Sequence, residues 1–402
     1  MKSWLVCGGA TVTVGENLTT YIHLGTPLTN STESSTEAAV RDALTMRNLK
    51  ARLPSNAVTA ASSLTLRKSL ADSALTMAVA SDTAGDFADT SNSVAFADTD
   101  EFSFKVATGD DPVSGSMGIS GWSVELEPAD SLLCLSLMQA AGPSSFNTAS
   151  TVYYQALNGA STSVLTSEGP QQMAAGFAGT WRNGRVRVSS NGRAQATTWR
   201  SRKNGADGSQ TITVAGSATG TFEDTSNSDT FAQGDLLNWS ITTGTGSGTI
   251  SSQSTGCTLV STTGHWQFMA YNVATVAYPT AATRYTAVSG RVALGVTEAD
   301  YQQAAPFAFS ASRLSCVVSS NAANGATSVT FRKGTADTAL TFTIASGATG
   351  TFSDTTNEVA IAAGDKVGIE VTNAGSSGSC SIQMFLLRGR TAFPRVQGHV
   401  IG

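Results

Sequence analysis

One phrase is written three times in this chain. Residues Gly350–Asp365 read GTFSDTTNEVAIAAGD, Gly220–Asp235 read GTFEDTSNSDTFAQGD, and Gly85–Asp100 read GDFADTSNSVAFADTD. The aspartates of its turn, Asp89, Asp224 and Asp354, stand 135 and 130 residues apart. The pairs Arg67-Lys68, Arg202-Lys203 and Arg332-Lys333 keep both spacings, and so do Asn56, Asn191 and Asn321. Three landmarks in one register mean an internal triplication. A period of about 130 residues is too long for a solenoid repeat and suits an independent domain.

The apolar pattern says what kind of domain. Phe102, Phe104 and Val106 alternate with small or polar residues, as do Leu237, Trp239, Ile241 and Val367, Ile369, Val371. That is the period of a strand with one buried face. A second alternation runs through Leu75, Met77, Val79, through Gln210, Ile212, Val214, and through Leu340, Phe342, Ile344. A third precedes the Arg-Lys pair: Leu64 and Leu66, Trp199 and Ser201, Val329 and Phe331. Gln210 and Ser201 depart from the pattern, which predicts that the second unit faces a partner differently. The DTSN and DTTN stretches are turn chemistry, because Asp, Thr and Asn side chains bond nearby backbone N–H groups. Phe87, Phe222 and Phe352 are the expected anchors of the turn to each core. Glu33–Ala51 has room for a short helix. The expected fold is all-β: three tandem antiparallel sandwiches of jelly-roll type.

Each unit opens on a Tyr-to-Gly lead-in (TTYIHLG, TVYYQALNG, TRYTAVSG) preceded by an apolar strand (SWLVCGG, LCLSLMQAAG, WQFMAYN). Met138 lies 38 residues beyond Asp100 and Met269 lies 34 beyond Asp235, but Phe385 lies only 20 beyond Asp365. Boundaries drawn after the apolar strands give units of 1–147, 148–278 and 279–402, the third short by one strand. The N-terminal strand, Ser3–Cys7, then either pairs within the first unit or fills the open edge of the third. The second arrangement would close a pseudo-threefold ring or link chains head to tail.

Little here points to chemistry. His23, His265 and His399 share no repeat position and no metal-ligand spacing. The five cysteines are odd in number and widely spaced, so they read as buried thiols, although Cys316 and Cys380 could meet across one sandwich. Nucleophile-elbow, P-loop, dinucleotide and zinc-protease patterns are missing. Asp224 with Asp235, and Asp354 with Asp365, flank single strands in the manner of paired carboxylates or calcium ligands, but turn chemistry explains them better. No catalytic residue, cofactor or metal is expected. A net charge of −5 argues against a nucleic-acid partner, and no stretch reads as a membrane span or secretory leader. The repeated Arg67, Lys68, Arg202, Lys203, Arg332 and Lys333 are candidate interface residues. Trp122, Trp181, Tyr154 and Tyr285 lie outside the clean strands and are candidates for stacking on a sugar.

The wording of the units, from the Ser-Asn pair through RKNGA and GTFxDTxN to AxGD, resembles β-sandwich domains in structural proteins of tailed bacteriophages, over Tyr21 to about Leu387. The resemblance implies a non-enzymatic virion component assembled in the host cytoplasm. A capsid-surface decoration or vertex protein is the first expectation, partnered by a major capsid protein or tail components and acting as a pseudo-trimer or homo-oligomer. The alternative is a tail-fibre or receptor-binding protein contacting a cell-surface glycan.

Overall fold

The alternating strands of each repeat fold into two facing four-stranded sheets. The computed structural model describes residues 1–24, 29–110, 115–160 and 165–391. The first unit holds β1 (Ser3–Gly15), β2 (Thr19–Ile22), β3 (Leu44–Leu53), β4 (Ser62–Lys68), β5 (Ala71–Val79), β6 (Gly85–Phe96), β7 (Glu101–Ala107) and β8 (Ser116–Pro128). The second holds β9 (Cys134–Phe146), β10 (Val152–Gln155), β11 (Gly179–Asn191), β12 (Thr197–Lys203), β13 (Ala206–Val214), β14 (Gly220–Phe231), β15 (Leu236–Thr243) and β16 (Ile250–Ser261). The third holds β17 (His265–Tyr278), β18 (Ala282–Thr286), β19 (Phe309–Asn321), β20 (Thr327–Lys333), β21 (Ala336–Ile344), β22 (Gly350–Ser353, resumed at Glu358–Ile361), β23 (Lys366–Asn373) and β24 (Cys380–Arg390).

The first unit's sheets have the orders β1-β8-β3-β6 and β2-β7-β4-β5, and the other two units repeat both orders. Counted within a unit, a 1-8-3-6 sheet faces a 2-7-4-5 sheet, which is the jelly-roll arrangement. The chain is therefore all-β and built of three jelly rolls in tandem.

Strand pairing decides between the two arrangements open to Ser3–Cys7 and corrects the unit boundaries and the missing strand. Ser3–Cys7 pair with Trp122–Leu126 of β8, inside the first unit. By the same logic Cys134–Phe146 pairs with β16, and His265–Tyr278 pairs with β24. Each apolar strand thus opens the unit that follows it, instead of ending the one before. The boundaries fall near 129–133 and 262–264, not after 147 and 278, and the third unit lacks nothing. The short helix expected in Glu33–Ala51 is a single 3₁₀ turn, Glu33–Ser35, followed by β3. A bulge at Asn48 (φ 53°) shifts the β3 register between Arg47 and Leu49. The buried residues of β3 therefore fall at 44, 46, 49, 51 and 53, a spacing that imitates a helix over its middle.

The three lead strands β1, β9 and β17 each contact the other two. Each is buried on both faces over its first half and serves at least two cores, and Cys134 of β9 also enters the third. Leu5 and Cys7 enter the first core, whereas Trp4 and Val6 enter the third. Met138 enters the second core, while Leu135 and Leu137 enter the first. Phe268 and Ala270 enter the third, while Met269 and Tyr271 enter the second. Every unit thus receives a strand face from the next, and the third receives its own from the N-terminus. The cycle closes inside one chain by side-chain packing.

Backbone hydrogen bonds reinforce the closure. Gly8 N–H donates to Ser289 O at 3.2 Å, and Arg291 N–H donates to Gly8 O at 3.0 Å. Gly290 N–H donates to Met269 O at 2.9 Å, so this segment ties β1 to β17. Gly290 has φ +99°, and a Cβ there would stand 2.1 Å from the Gly8 carbonyl oxygen, so only glycine fits. Gly159–Ala160 makes the same parallel link between β9 and β17.

The seams also carry charge, much of it supplied by the third strand of the first two units. Arg182 pairs with Asp42 and Arg185 with Glu101 across the first seam, and Arg41 answers Glu223 at 2.8 Å. Arg52 reaches Asp300 at 3.2 Å across the seam with the third unit, where Lys50 Nζ donates to Ala305 O at 3.2 Å.

Trp4 is 3% exposed and meets Phe268 and Phe309 edge-on, with ring centroids 5.4 and 5.9 Å away. Trp4→Ala is expected to destabilise the chain by about 3–5 kcal/mol, the cost of a large core truncation, as read from urea unfolding. A loss below about 1 kcal/mol, the size of an ordinary surface change, would show that β1 does not close the ring.

Candidate functional site

The repeated Arg-Lys pair sits at the end of the fourth strand of each unit, and its arginine turns inward. Arg67 Nε and Nη2 donate to the two carboxylate oxygens of Glu33 at 2.9 and 2.8 Å, while Nη1 donates to Asp72 at 2.6 Å. Arg202 repeats this with Glu168 at 2.9 and 3.0 Å and with Asp207. Arg332 repeats it with Glu298 at 2.8 and 3.3 Å and with Asp337. The hydrogen bonds each guanidinium donates to its glutamate are the chief reason it is held above its ordinary pKa. This planar fork-on-carboxylate geometry suits arginine and not lysine. The arginines are internal clamps, not groups presented to a partner. The lysines lie half-exposed: Lys68 Nζ donates to Ala95 O, Lys203 Nζ to Thr230 O and Lys333 Nζ to Ala360 O, at 2.7, 2.8 and 3.2 Å. Glu33, Glu168 and Glu298 were not among the candidate residues read from the sequence, although they too stand 135 and 130 residues apart.

The repeated aspartates are turn centres. Asp89 accepts from the N–H groups of Ser91 and Asn92, from the Asn92 side chain, and from Thr76 N–H on the neighbouring strand, at 3.0–3.2 Å. Asp224 and Asp354 make the same set, reaching Thr211 N–H at 2.7 Å and Thr341 N–H at 3.1 Å. Asp235 and Asp365 accept from Ala232 and Ala362 N–H at 2.7 Å. Each carboxylate is occupied by its own turn, which leaves no paired-acid chemistry. Phe87, Phe222 and Phe352 are half-buried and pack on the rims of the first, second and third cores.

Other candidates resolve as core. Trp122 is 1% exposed and stacks on Phe104 at 4.9 Å, and Trp181 is equally buried, edge-on to Trp239. Neither can meet a sugar. Tyr154 and Tyr285 are half-exposed on the outer sheets of the second and third units. Gln210 and Ser201 point inward rather than toward a partner. Gln210 Oε1 accepts from Gly184 N–H at 2.7 Å, and Ser201 Oγ donates to Asp229 at 2.5 Å. Asp229 also accepts from Ser209 N–H at 2.6 Å. All five cysteines are buried thiols, and Cys316 and Cys380 form no disulfide. His23 is buried, which lowers its pKa to about 4, and His265 meets Thr263 at 2.8 Å. His399 lies outside the described residues. Among the described residues no group of three or more His, Cys, Asp or Glu could hold a metal ion, and no helix is long and apolar enough to cross a membrane.

One surface feature stands apart from this structural bonding. On the outer sheet of the second unit, Tyr154, Arg200, Asp207, Ser240, Thr198 and Thr242 line an open groove of about 350 Å³. Tyr154 sits opposite Ser240, and Ser240 sits opposite Arg200, so the tyrosine and the arginine flank β15 from its two sides.

No protein-family model and no curated protein matches the chain. Among solved structures it is similar to a chain described with the triple jelly roll fold and turret assembly in an archaeal virus, at 12% identity over 96% of this chain and 90% of that one, TM-score 0.18. It is also similar to a chain of Sulfolobus Turreted Icosahedral Virus, at 11% identity over 96% and 91%, TM-score 0.17. A Paenibacillus xanthan lyase matches at 11% identity over 70% of this chain and 30% of that one, TM-score 0.17. Likenesses this distant do not bear on function, and the jelly-roll assignment stands on the strand order itself.

Two pH effects follow from the carboxylates. Burial works to raise the pKa of the turn aspartates, and the hydrogen bonds they accept outweigh it. Asp89 and Asp224 are thereby held below the ordinary value and Asp354 is brought down to about 2. A depressed folded-state pKa adds stability that is present above the unfolded value and lost as pH falls through the folded one. The urea midpoint is therefore expected to drop between about pH 4 and pH 2, and less steeply in Asp354→Asn. An unchanged slope would place the acid sensitivity elsewhere. Glu37 behaves oppositely. Burial, and then hydrogen bonding and repulsion from Glu101, push its carboxyl up to about 7. Its ionisation costs stability as pH rises from the usual carboxylate range through 7. Glu37→Gln should stabilise the chain at pH 8 and change little at pH 4.5, a difference that thermal melts at the two pH values would read.

Proposed function

We propose that this protein is a non-enzymatic structural component of a bacteriophage particle, acting at the capsid surface as a decoration or vertex protein. The observation that carries the reading is the closed cycle of the three lead strands. A single chain supplies three equivalent jelly rolls around a pseudo-threefold centre, with each of the three cores completed by its neighbour. Such a body is rigid before it meets a partner, so docking on a pre-built shell orders no flexible segments and saves that entropic cost. The repeat wording, which resembles phage sandwich domains, supports the same reading. So does the bonding of the repeated polar residues, which is directed at turns and clamps instead of at reacting groups. The partners on this reading are other virion proteins, in particular a major capsid protein, and the site of action is the virion after assembly in the host cytoplasm.

Because the ring needs no second chain to close, the purified protein is expected to behave as a monomer of 41.2 kDa in light scattering. It is further expected to co-sediment with capsids that lack it. A stable trimer, or a protein that ignores such capsids, would overturn the reading in favour of a fibre or collar built by exchange between chains.

A further inference from the structure

The three outer sheets repeat one row of residues with a single telling difference. In the first unit the row is Tyr21, Lys105, Thr65, in the second Tyr154, Ser240, Arg200, and in the third Tyr285, Glu370, Thr330. The tyrosine is present each time, but the residue beside it changes. Lys105 extends across the first sheet to Asp72 at 2.6 Å, and Glu370 extends across the third to Arg332 at 3.3 Å. In the second unit the central position is the short Ser240, and the charged group has moved one strand further, to Arg200. The floor beside the tyrosine is left open there, between walls two strand spacings (about 10 Å) apart.

We propose that this groove binds a neutral pyranose sugar. A pyranose has apolar C–H faces and hydroxyls in adjacent pairs, and the groove offers a counterpart to each. The Tyr154 ring, with Val152 beside it at 40% exposure, gives an apolar wall for a C–H face. On the opposite wall Arg200 Nη1 donates to Asp207 at 2.9 Å, which sets a donor group and an acceptor group side by side, the match for two neighbouring hydroxyls. Thr198 and Thr242 add short hydroxyls along the floor, where Ser240, 5% exposed, donates its own to Arg200 O at 3.4 Å. The ligand is neutral because the groove's charges already cancel: Arg200 and Arg202 are matched by Asp207 and Glu168. The site goes beyond the structural role proposed above and does not depend on it.

The test is saturation-transfer NMR and titration of the full chain with the methyl pyranosides of glucose, galactose and mannose and with N-acetylglucosamine. N-acetylneuraminic acid serves as the charged comparison. At least one neutral sugar is expected to bind with a dissociation constant on the order of 1 mM, as befits a shallow site. Tyr154→Ala and Ser240→Lys should each weaken that binding about tenfold or more. Ser240→Lys carries in the residue that the first unit accommodates at the same place, so an unchanged melting temperature will separate a filled groove from an unfolded one. Tyr21→Ala, in the unit where Lys105 crosses the floor, should leave binding unchanged. No transfer from any neutral sugar, or binding that survives both groove variants, would overturn the proposal. So would binding confined to N-acetylneuraminic acid and lost in salt, which would make the groove an anion site.

Discussion

The structure depends on three strands whose first halves, residues 3–8, 134–140 and 266–272, have no solvent face. β1, β9 and β17 each lay alternate side chains into their own sandwich and into another, so no unit has a complete core alone. An antiparallel strand usually shows water one face and alternates apolar with polar residues. Removing these strands from water on both sides instead requires near-continuous apolar runs, and SWLVC, LCLSLM and WQFMAY are written that way. The glycines at Gly8 and Gly290 follow from the same crowding, because the backbones of two units approach too closely for a side chain between them.

Most of the architecture was legible because most strands do have a wet face. Phe102, Phe104 and Val106, and their counterparts in the other units, alternate cleanly and are all buried. The lead strands were recognised as strands but assigned to the preceding units, since a segment apolar on both faces does not say which neighbour it pairs with. The bulge at Asn48 misled differently, by turning a period of two into spacings that a helix also shows. The outward groove was legible only in part. Tyr154 was noticed, but Trp122 and Trp181 were weighed equally with it, because residue type alone does not separate an aromatic in a core from one on a surface. Ser240 carries no signal by itself, and it becomes informative only beside Lys105 and Glu370.

The second unit differs inside as well as outside. Where the first has Leu66, Leu75 and Val94, and the third has Phe331, Leu340 and Val359, the second has Ser201, Gln210 and Asp229. One such change alone would bury an unpaired polar group, at a cost of about 1–3 kcal/mol. Here Ser201 bonds Asp229, Asp229 accepts from the Ser209 backbone, and the Gln210 side chain joins Gly184 N–H to the Asn227 carbonyl, which fixes the sheet from beneath. Trp199 and Trp239 fill the same core where the other units use Leu64, Phe104, Val329 and Ile369. The outer sheet that bears the groove is therefore the one resting on the bulkiest aromatic pair and on this polar brace.

Only residues 129–133 and 262–264 separate the last strand of one jelly roll from the first strand of the next. A ring of three separate chains would come apart on dilution, because its assembly depends on the concentration of subunits. Here the three bodies stay at a fixed, high effective concentration whatever the volume around them. A protein built in this way can be made at low copy number and diluted without losing its shape. Covalent continuity also frees equivalent positions to diverge, which identical chains encoded once cannot do.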